Sequence, residues 1–266
     1  MNLRFILRGS ISVLALTLIV MGIGLRVTDL AFRPLDPTPP PPTILAPRGE
    51  LPIDPGGLIE FARYGDSDFG VGCGFLLQLP SGSLIGVTTA HSLLFNNPAS
   101  PLQRIAFGVA NRSGYVAIFD TFWGMPGVAR SGEDMTVDYV LLKPIDATSV
   151  DRSLVLQPDP RGAPQPGERV MLLSGLADGQ GGRIIFEGTV QSVDATAVSV
   201  LMDSSFDPSG LSGSPFVSEF TGRVVGMTIA TSYRANRVLL SLHPIGSIVR
   251  LAQSAIEFPK IGEYRR

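Results

Sequence analysis

The sequence predicts an all-β fold of two packed antiparallel barrels followed by one C-terminal helix. Three observations carry that prediction. From about residue 57 the chain reads as short apolar runs punctuated by Gly, Pro, Asn and Ser, the pattern of an antiparallel β domain. Several of these runs face each other across turn-forming residues at hairpin distance. Only one segment, PIGSIVRLAQSAI near the end, carries helical spacing.

Taken in order, GFLLQL and LIGVTTA flank a turn at Pro80-Ser81-Gly82, and RIAFGVA and YVAIFDTFW flank Asn111-Arg112-Ser113-Gly114. RIIFEGTVQSV and AVSVLMD flank Asp194-Ala195, while DYVLLKP, RVMLLSGL, RVVGMTIA and RVLLSLH supply further strands. The helix places Ile245, Ile248, Val249, Ala252 and Ile256 on one face, with Pro244 at its start, where a missing N–H costs nothing. The folded domain is expected over about 57–258, with the first barrel at 57–146, the second at 168–243, the helix at 245–257 and a tail at 259–266. The Pro- and Asp-rich stretch from Ala147 to Gly167 is the natural crossing between barrels.

The 266 residues are 44% hydrophobic and 17% charged, enough apolar material for a sizeable core. A net charge of −2, with no basic block along the chain, leaves no electrostatic footprint for nucleic acid. Cys73 is the only cysteine, which excludes an intrachain disulfide framework and a thiolate-held structural zinc. At the N-terminus, Arg4 and Arg8 precede an uncharged apolar run of roughly 17 residues, the shape of a signal anchor or signal peptide over 1–27. Length favours a retained anchor, whereas Gly22 and Gly24 are spaced as a signal peptidase would accept. Prolines dominate residues 28–56 and favour an extended, semi-rigid linker. The domain behind it is expected to be extracytoplasmic, held at the membrane by the apolar segment or secreted if that segment is cleaved.

Three segments of the β-rich body carry chemistry. GVTTAHSL ends a strand so that His91 emerges where strand gives way to loop. TVDYVLLKP places Asp138 at the mouth of a buried strand, where a carboxylate needs a partner and a histidine ring N–H fits. DPSGLSGSPFV sets Ser212 between Gly210 and Gly213, and the glycines let the backbone turn tightly and aim its N–H groups at a substrate carbonyl.

Thr89-Ala90-His91, Asp138-Tyr139-Val140-Leu141-Leu142 and Gly210-Leu211-Ser212-Gly213-Ser214-Pro215 resemble the three catalytic blocks of trypsin-like serine peptidases, in that family's order. Gly72-Cys73-Gly74-Phe75, Val225-Gly226-Met227-Thr228 and LSLHPIGSIVRLAQSA are similar to the HtrA-type branch, here expected without a C-terminal peptide-binding module. The resemblance implies two six-stranded antiparallel barrels with the active site between them, and hydrolysis of a polypeptide substrate through an acyl-enzyme. Ser212 would be the nucleophile, His91 the base and Asp138 its orienting partner, with the Gly210 and Ser212 N–H groups as oxyanion donors. Such chemistry requires no metal and no organic cofactor. Phe206 falls where the family often places the base of its specificity pocket, with Asp207, Thr228, Ile229 and Ala230 as further pocket candidates. A catalytically degenerate fold that binds a peptide or partner is the alternative reading. An α/β-hydrolase is disfavoured, because Ser214 breaks the Gly-x-Ser-x-Gly elbow and no Asp follows Ser212.

Overall fold

Leu58 starts the first strand, and the alternation of LIEFARY buries Leu58, Glu60 and Ala62 while Ile59, Phe61 and Arg63 stay partly exposed. The structure, a computed structural model, describes residues 56–265 apart from 96, 98, 131 and 178–182. The N-terminal apolar helix and most of the Pro-rich linker expected from the sequence lie outside the described residues. Among the described residues no helix is long and apolar enough to cross a membrane.

The first barrel comprises β1 (Leu58–Tyr64), β2 (Ser67–Gln78), β3 (Leu84–Thr88), β4 (Leu102–Gly108), β5 (Ala117–Phe122) and β6 (Val140–Pro144). They run in the order β1-β4-β5-β6-β3-β2, and antiparallel pairing of β1 with β2 closes the ring. A two-residue strand, β7 (Val155–Leu156), adds to β2 in parallel, so the expected crossing also extends the first sheet. The second barrel comprises β8 (Arg169–Ala177), β9 (Arg183–Val193), β10 (Val198–Met202), β11 (Pro215–Ser218), β12 (Val224–Arg234) and β13 (Arg237–Pro244). Its order is β10-β13-β12-β11-β8-β9, closed by the pairing of β9 with β10.

Several strands are apolar on both faces, and the packing explains why. Leu76, Val140 and Leu142 point into the first barrel, where Phe107 and Phe119 meet at a ring separation of 4.9 Å. Their neighbours Phe75, Leu77 and Leu141 point outward into a second cluster, together with Ile85 and Val87. Met171, Leu173, Val217 and Met227 of the second barrel complete that cluster, while Val170, Leu172 and Phe216 turn into the second barrel's own interior. Period-two alternation therefore fills three apolar layers from continuous runs. Burying each such side chain contributes roughly 1.5–3 kcal/mol, which is what clamps the two barrels together.

The helix α1 (Ile245–Gln253) buries Ile245, Ile248 and Ala252 against the interbarrel layer. It ends four residues before the boundary expected from its apolar face. Ile256, assigned to that face, is 87% exposed. The chain instead leaves the helix at Ser254 and returns to the first barrel, where the Phe122 and Gly124 N–H groups donate to the Pro259 and Glu257 carbonyls. The expected tail is a docked segment: Ile261 is buried, and the Tyr264 ring packs edge-on against Phe95 and Phe122.

Candidate active site

Thr88 is the last residue of β3, and the chain turns so that Thr89 and Ala90 stay buried while His91 reaches the surface. Asp138 arrives from a 3-10 turn over Met135–Val137, just ahead of β6, and is fully buried. Ser212 comes from the loop before β11, in the second barrel. The three side chains meet in sequence: His91 Nδ1 lies 2.8 Å from Asp138 Oδ2, and His91 Nε2 lies 2.8 Å from Ser212 Oγ.

The buried carboxylate is satisfied on both oxygens. Oδ1 accepts from the Ala90 and His91 N–H groups at 2.7 and 3.1 Å, and Oδ2 accepts from the Arg130 N–H at 3.0 Å as well as meeting the imidazole. Burial by itself would raise the Asp138 pKa, but the His91 hydrogen bond and charge together with the backbone donors outweigh it and hold the carboxyl below its usual range. Asp138 is therefore ionised at neutral pH. Two other acids of the first barrel are engaged elsewhere: Asp134 accepts from Thr136 as the cap of the 3-10 turn, and Asp120 pairs with Lys260 at 2.8 Å.

The nucleophile loop is pinned to both barrels. Leu211 is buried in the second barrel, the Gly213 N–H donates to the Thr228 carbonyl, and the Cys73 N–H on β2 donates to the Ser212 carbonyl at 2.9 Å. Gly213 has φ +89°, and a Cβ there would lie 1.9 Å from the Cys73 carbonyl oxygen, so only glycine permits this approach. Cys73 is buried and also donates its thiol to the Gly210 carbonyl at 3.2 Å. Neither the Gly210 nor the Ser212 N–H donates to a protein acceptor among the described residues, which leaves both available to a developing oxyanion.

The pocket candidates fall on the second barrel. Phe206 is partly buried and stacks on Phe186 with ring centroids 3.8 Å apart. Asp207 faces solvent, its carboxylate accepting from the Ser209 N–H and hydroxyl at 3.0 and 2.6 Å. Thr228, Ile229 and Ala230 follow one another on β12, the first two buried, and the Thr228 hydroxyl has no hydrogen-bond partner among the described residues. His243 is buried edge-on to Tyr139, and burial pushes its pKa down to about 4, so it stays neutral. Among the described residues no group of His, Cys, Asp and Glu is arranged to hold a metal. Sequence reasoning missed one participant: the Arg130 N–H, which donates to Asp138, is a backbone group and carries no side-chain signal.

No known family model and no curated protein matches this chain in sequence. Solved structures match its fold. A thermostable serine protease from an extremophilic microorganism aligns with a TM-score of 0.52 at 13% identity, covering 76% of this chain and 97% of that one. Kallikrein-related peptidase 10 aligns with a TM-score of 0.50 at 19% identity, over 76% of this chain and 95% of its own. The fold is that of the trypsin-like serine proteases. A catalytically active tobacco etch virus protease complexed with product shares it, with a TM-score of 0.51, 16% identity and coverage of 84% and 87%. Within this protease fold, His91 and Asp138 belong to the first barrel and Ser212 to the second, so the site straddles the cleft between them.

Proposed function

We propose that the chain is a serine endopeptidase that cleaves polypeptides through an acyl-enzyme. The observation that carries the reading is the continuous hydrogen-bond chain from Ser212 Oγ through the His91 imidazole to a buried, ionised Asp138. A serine hydroxyl is a weak nucleophile until a base accepts its proton. His91 Nε2 is placed to do that as Ser212 Oγ attacks the scissile carbonyl, and then to return the proton to the leaving amine. Asp138 keeps Nδ1 protonated and Nε2 free, and stabilises the imidazolium that forms. The Gly210 and Ser212 N–H groups are the donors toward the tetrahedral oxyanion, and water then releases the acyl group by the same steps in reverse. Within trypsin-like peptidases, the motifs around Cys73 and Thr228 favour the HtrA-type branch. The test is fluorophosphonate treatment of the full-length protein. An adduct on Ser212 that disappears in His91→Ala supports the triad, and labelling at another residue overturns it.

An apolar pocket follows from Phe206 on Phe186 and from Ile229, with the Asp207 carboxylate tied up at the surface by Ser209. Burying a substrate lysine or arginine against such a wall leaves an unpaired charge, whereas Val, Ala or Leu gains roughly 1–3 kcal/mol. Cleavage is expected after small or medium apolar residues in a peptide library, favoured about tenfold or more over basic ones. Cuts mainly after Arg or Lys, abolished by Asp207→Asn, would reverse the assignment.

The apolar run behind Arg4 and Arg8 supports an extracytoplasmic peptidase anchored to a membrane. Full-length protein is expected to stay with membranes through a carbonate wash. Recovery of mature chains beginning just after Gly24 would instead identify a cleaved signal.

A further inference from the structure

Close to the nucleophile loop, β1 carries a fully buried acid that the triad does not use. Glu60 Oε2 lies 2.8 Å from the Thr88 hydroxyl, and that hydroxyl lies 2.9 Å from the Cys73 carbonyl oxygen. A hydroxyl has one proton to give, and a carbonyl has none. If Thr88 donates to Cys73, Glu60 must itself be the donor to Thr88, which only its protonated form can be. The second carboxyl oxygen, Oε1, is buried with no partner among the described residues, which is tolerable for an acid and costly for an anion.

Cys73 is the residue through which this chain reaches the site. Its N–H holds the Ser212 carbonyl, its thiol holds the Gly210 carbonyl, and its own carbonyl abuts Gly213 so closely that a Cβ there would overlap it. We propose that Glu60 is a positioning residue, a buried neutral carboxylic acid that acts through Thr88 and Cys73 to hold the Gly210–Ser212 loop in register for catalysis. This role rests on the peptidase reading and adds a control that the triad lacks. When Glu60 gives up its proton to solvent, the Thr88 hydroxyl turns to the new carboxylate, the Cys73 carbonyl loses that donor, and a buried negative charge faces it.

The direction of the pH response follows. Burial pushes the Glu60 carboxyl up to about 8, against the lowering effect of the Thr88 hydrogen bond. The other titratable groups that feel its charge are Tyr64 on β1 and Cys73 on β2, and burial raises both above their ordinary values of 10.0 and 9.0. The β4 residue paired with Glu60 is Phe107, and β3 contributes Thr88, neither of which titrates. Glu60 is thus the group here that changes charge near pH 8, and the loop is held below that pH and released above it.

The test measures kcat and KM on an apolar peptide ester from about pH 6 to about pH 10 in full-length wild type, Glu60→Gln and Glu60→Leu. Wild type is expected to lose about tenfold or more in kcat along an alkaline limb centred near pH 8, with KM changing about twofold at most. Glutamine keeps an uncharged donor to Thr88, so its profile lacks that limb. Leucine keeps none and lowers kcat about tenfold already at neutral pH. The same limb in Glu60→Gln, or leucine matching glutamine at neutral pH, overturns the proposal. A measurement on wild type needs no variant to fold: the difference infrared spectrum across the limb is expected to lose a protonated carboxyl band in step with kcat. Absence of that band, or its loss without a fall in kcat, overturns it equally. Fluorophosphonate labelling of wild-type Ser212 near neutral pH separates the two readings, since its absence removes the peptidase itself, whereas labelling with a flat alkaline profile removes only Glu60.

Discussion

Replacing Ser212 or His91 by alanine is expected to lower turnover by about six orders of magnitude, and replacing both to lower it little further. The near-equality is the informative part. With His91 gone, Ser212 Oγ loses the base that meets it at 2.8 Å, so the hydroxyl that remains is as ineffective as none. With Ser212 gone, the imidazole has no protein nucleophile to activate. What survives in each case is substrate binding and the two loop N–H groups, worth roughly 10³–10⁴ over water. Single-turnover kinetics on the full-length protein checks this, with the thermal unfolding midpoint showing that each variant is folded. Two losses that multiply, giving a double mutant far below either single one, would mean that Ser212 and His91 do not work as a unit.

Asp138→Asn is expected to cost about 10⁴ in kcat while leaving the fold intact. The hydrogen bonds specify how. The carboxylate accepts from three backbone N–H groups, at Ala90, His91 and Arg130, as well as from the imidazole. An asparagine oxygen takes the place of Oδ1 without difficulty, but its NH₂ then occupies the Oδ2 position, pointing a donor at the Arg130 N–H and at His91 Nδ1. The imidazole answers by accepting at Nδ1 and carrying its proton on Nε2, the tautomer that cannot deprotonate Ser212. Because that tautomer is imposed by a neutral amide, activity is expected to recover partly at high pH, where serine ionisation needs less help from a base. An Asp138→Asn variant with wild-type kcat would show that the acid neither orients nor charges the imidazole.

The fold class was legible in the sequence because antiparallel strands and tight turns are local. Hairpins such as the one across Asp194-Ala195 announce themselves through turn residues, and β9 and β10 end and begin on either side of it. The three site segments were legible for a related reason: each must present one polar side chain at a strand end or a glycine turn, and residue type at such a position is a strong signal. Two runs misled or stayed silent. Strand β1 carries Glu60 where an apolar residue belongs, so alternation alone did not mark it. Ile256 continues the helical period of α1, yet the return of the chain to β5 through Glu257 and Pro259 ends the helix first.

Composition and local pattern by themselves determined an all-β body behind an apolar, Pro-rich N-terminal region, and named His91, Asp138 and Ser212 as candidates. Only the tertiary structure decided that these three form one chain of hydrogen bonds, that Cys73 clamps the nucleophile loop, and that an acid on β1 is linked to Cys73 through Thr88. The reason is physical. A strand's period says which residues face inward, but which inward-facing residues meet depends on how two closed sheets are ordered and docked. Glu60 and Thr88 are 28 residues apart along the chain, and Cys73 and Gly210 are 137 apart. Barrel closure of β1 on β2 and the apolar layer between the barrels bring them together, and no window of local sequence contains either.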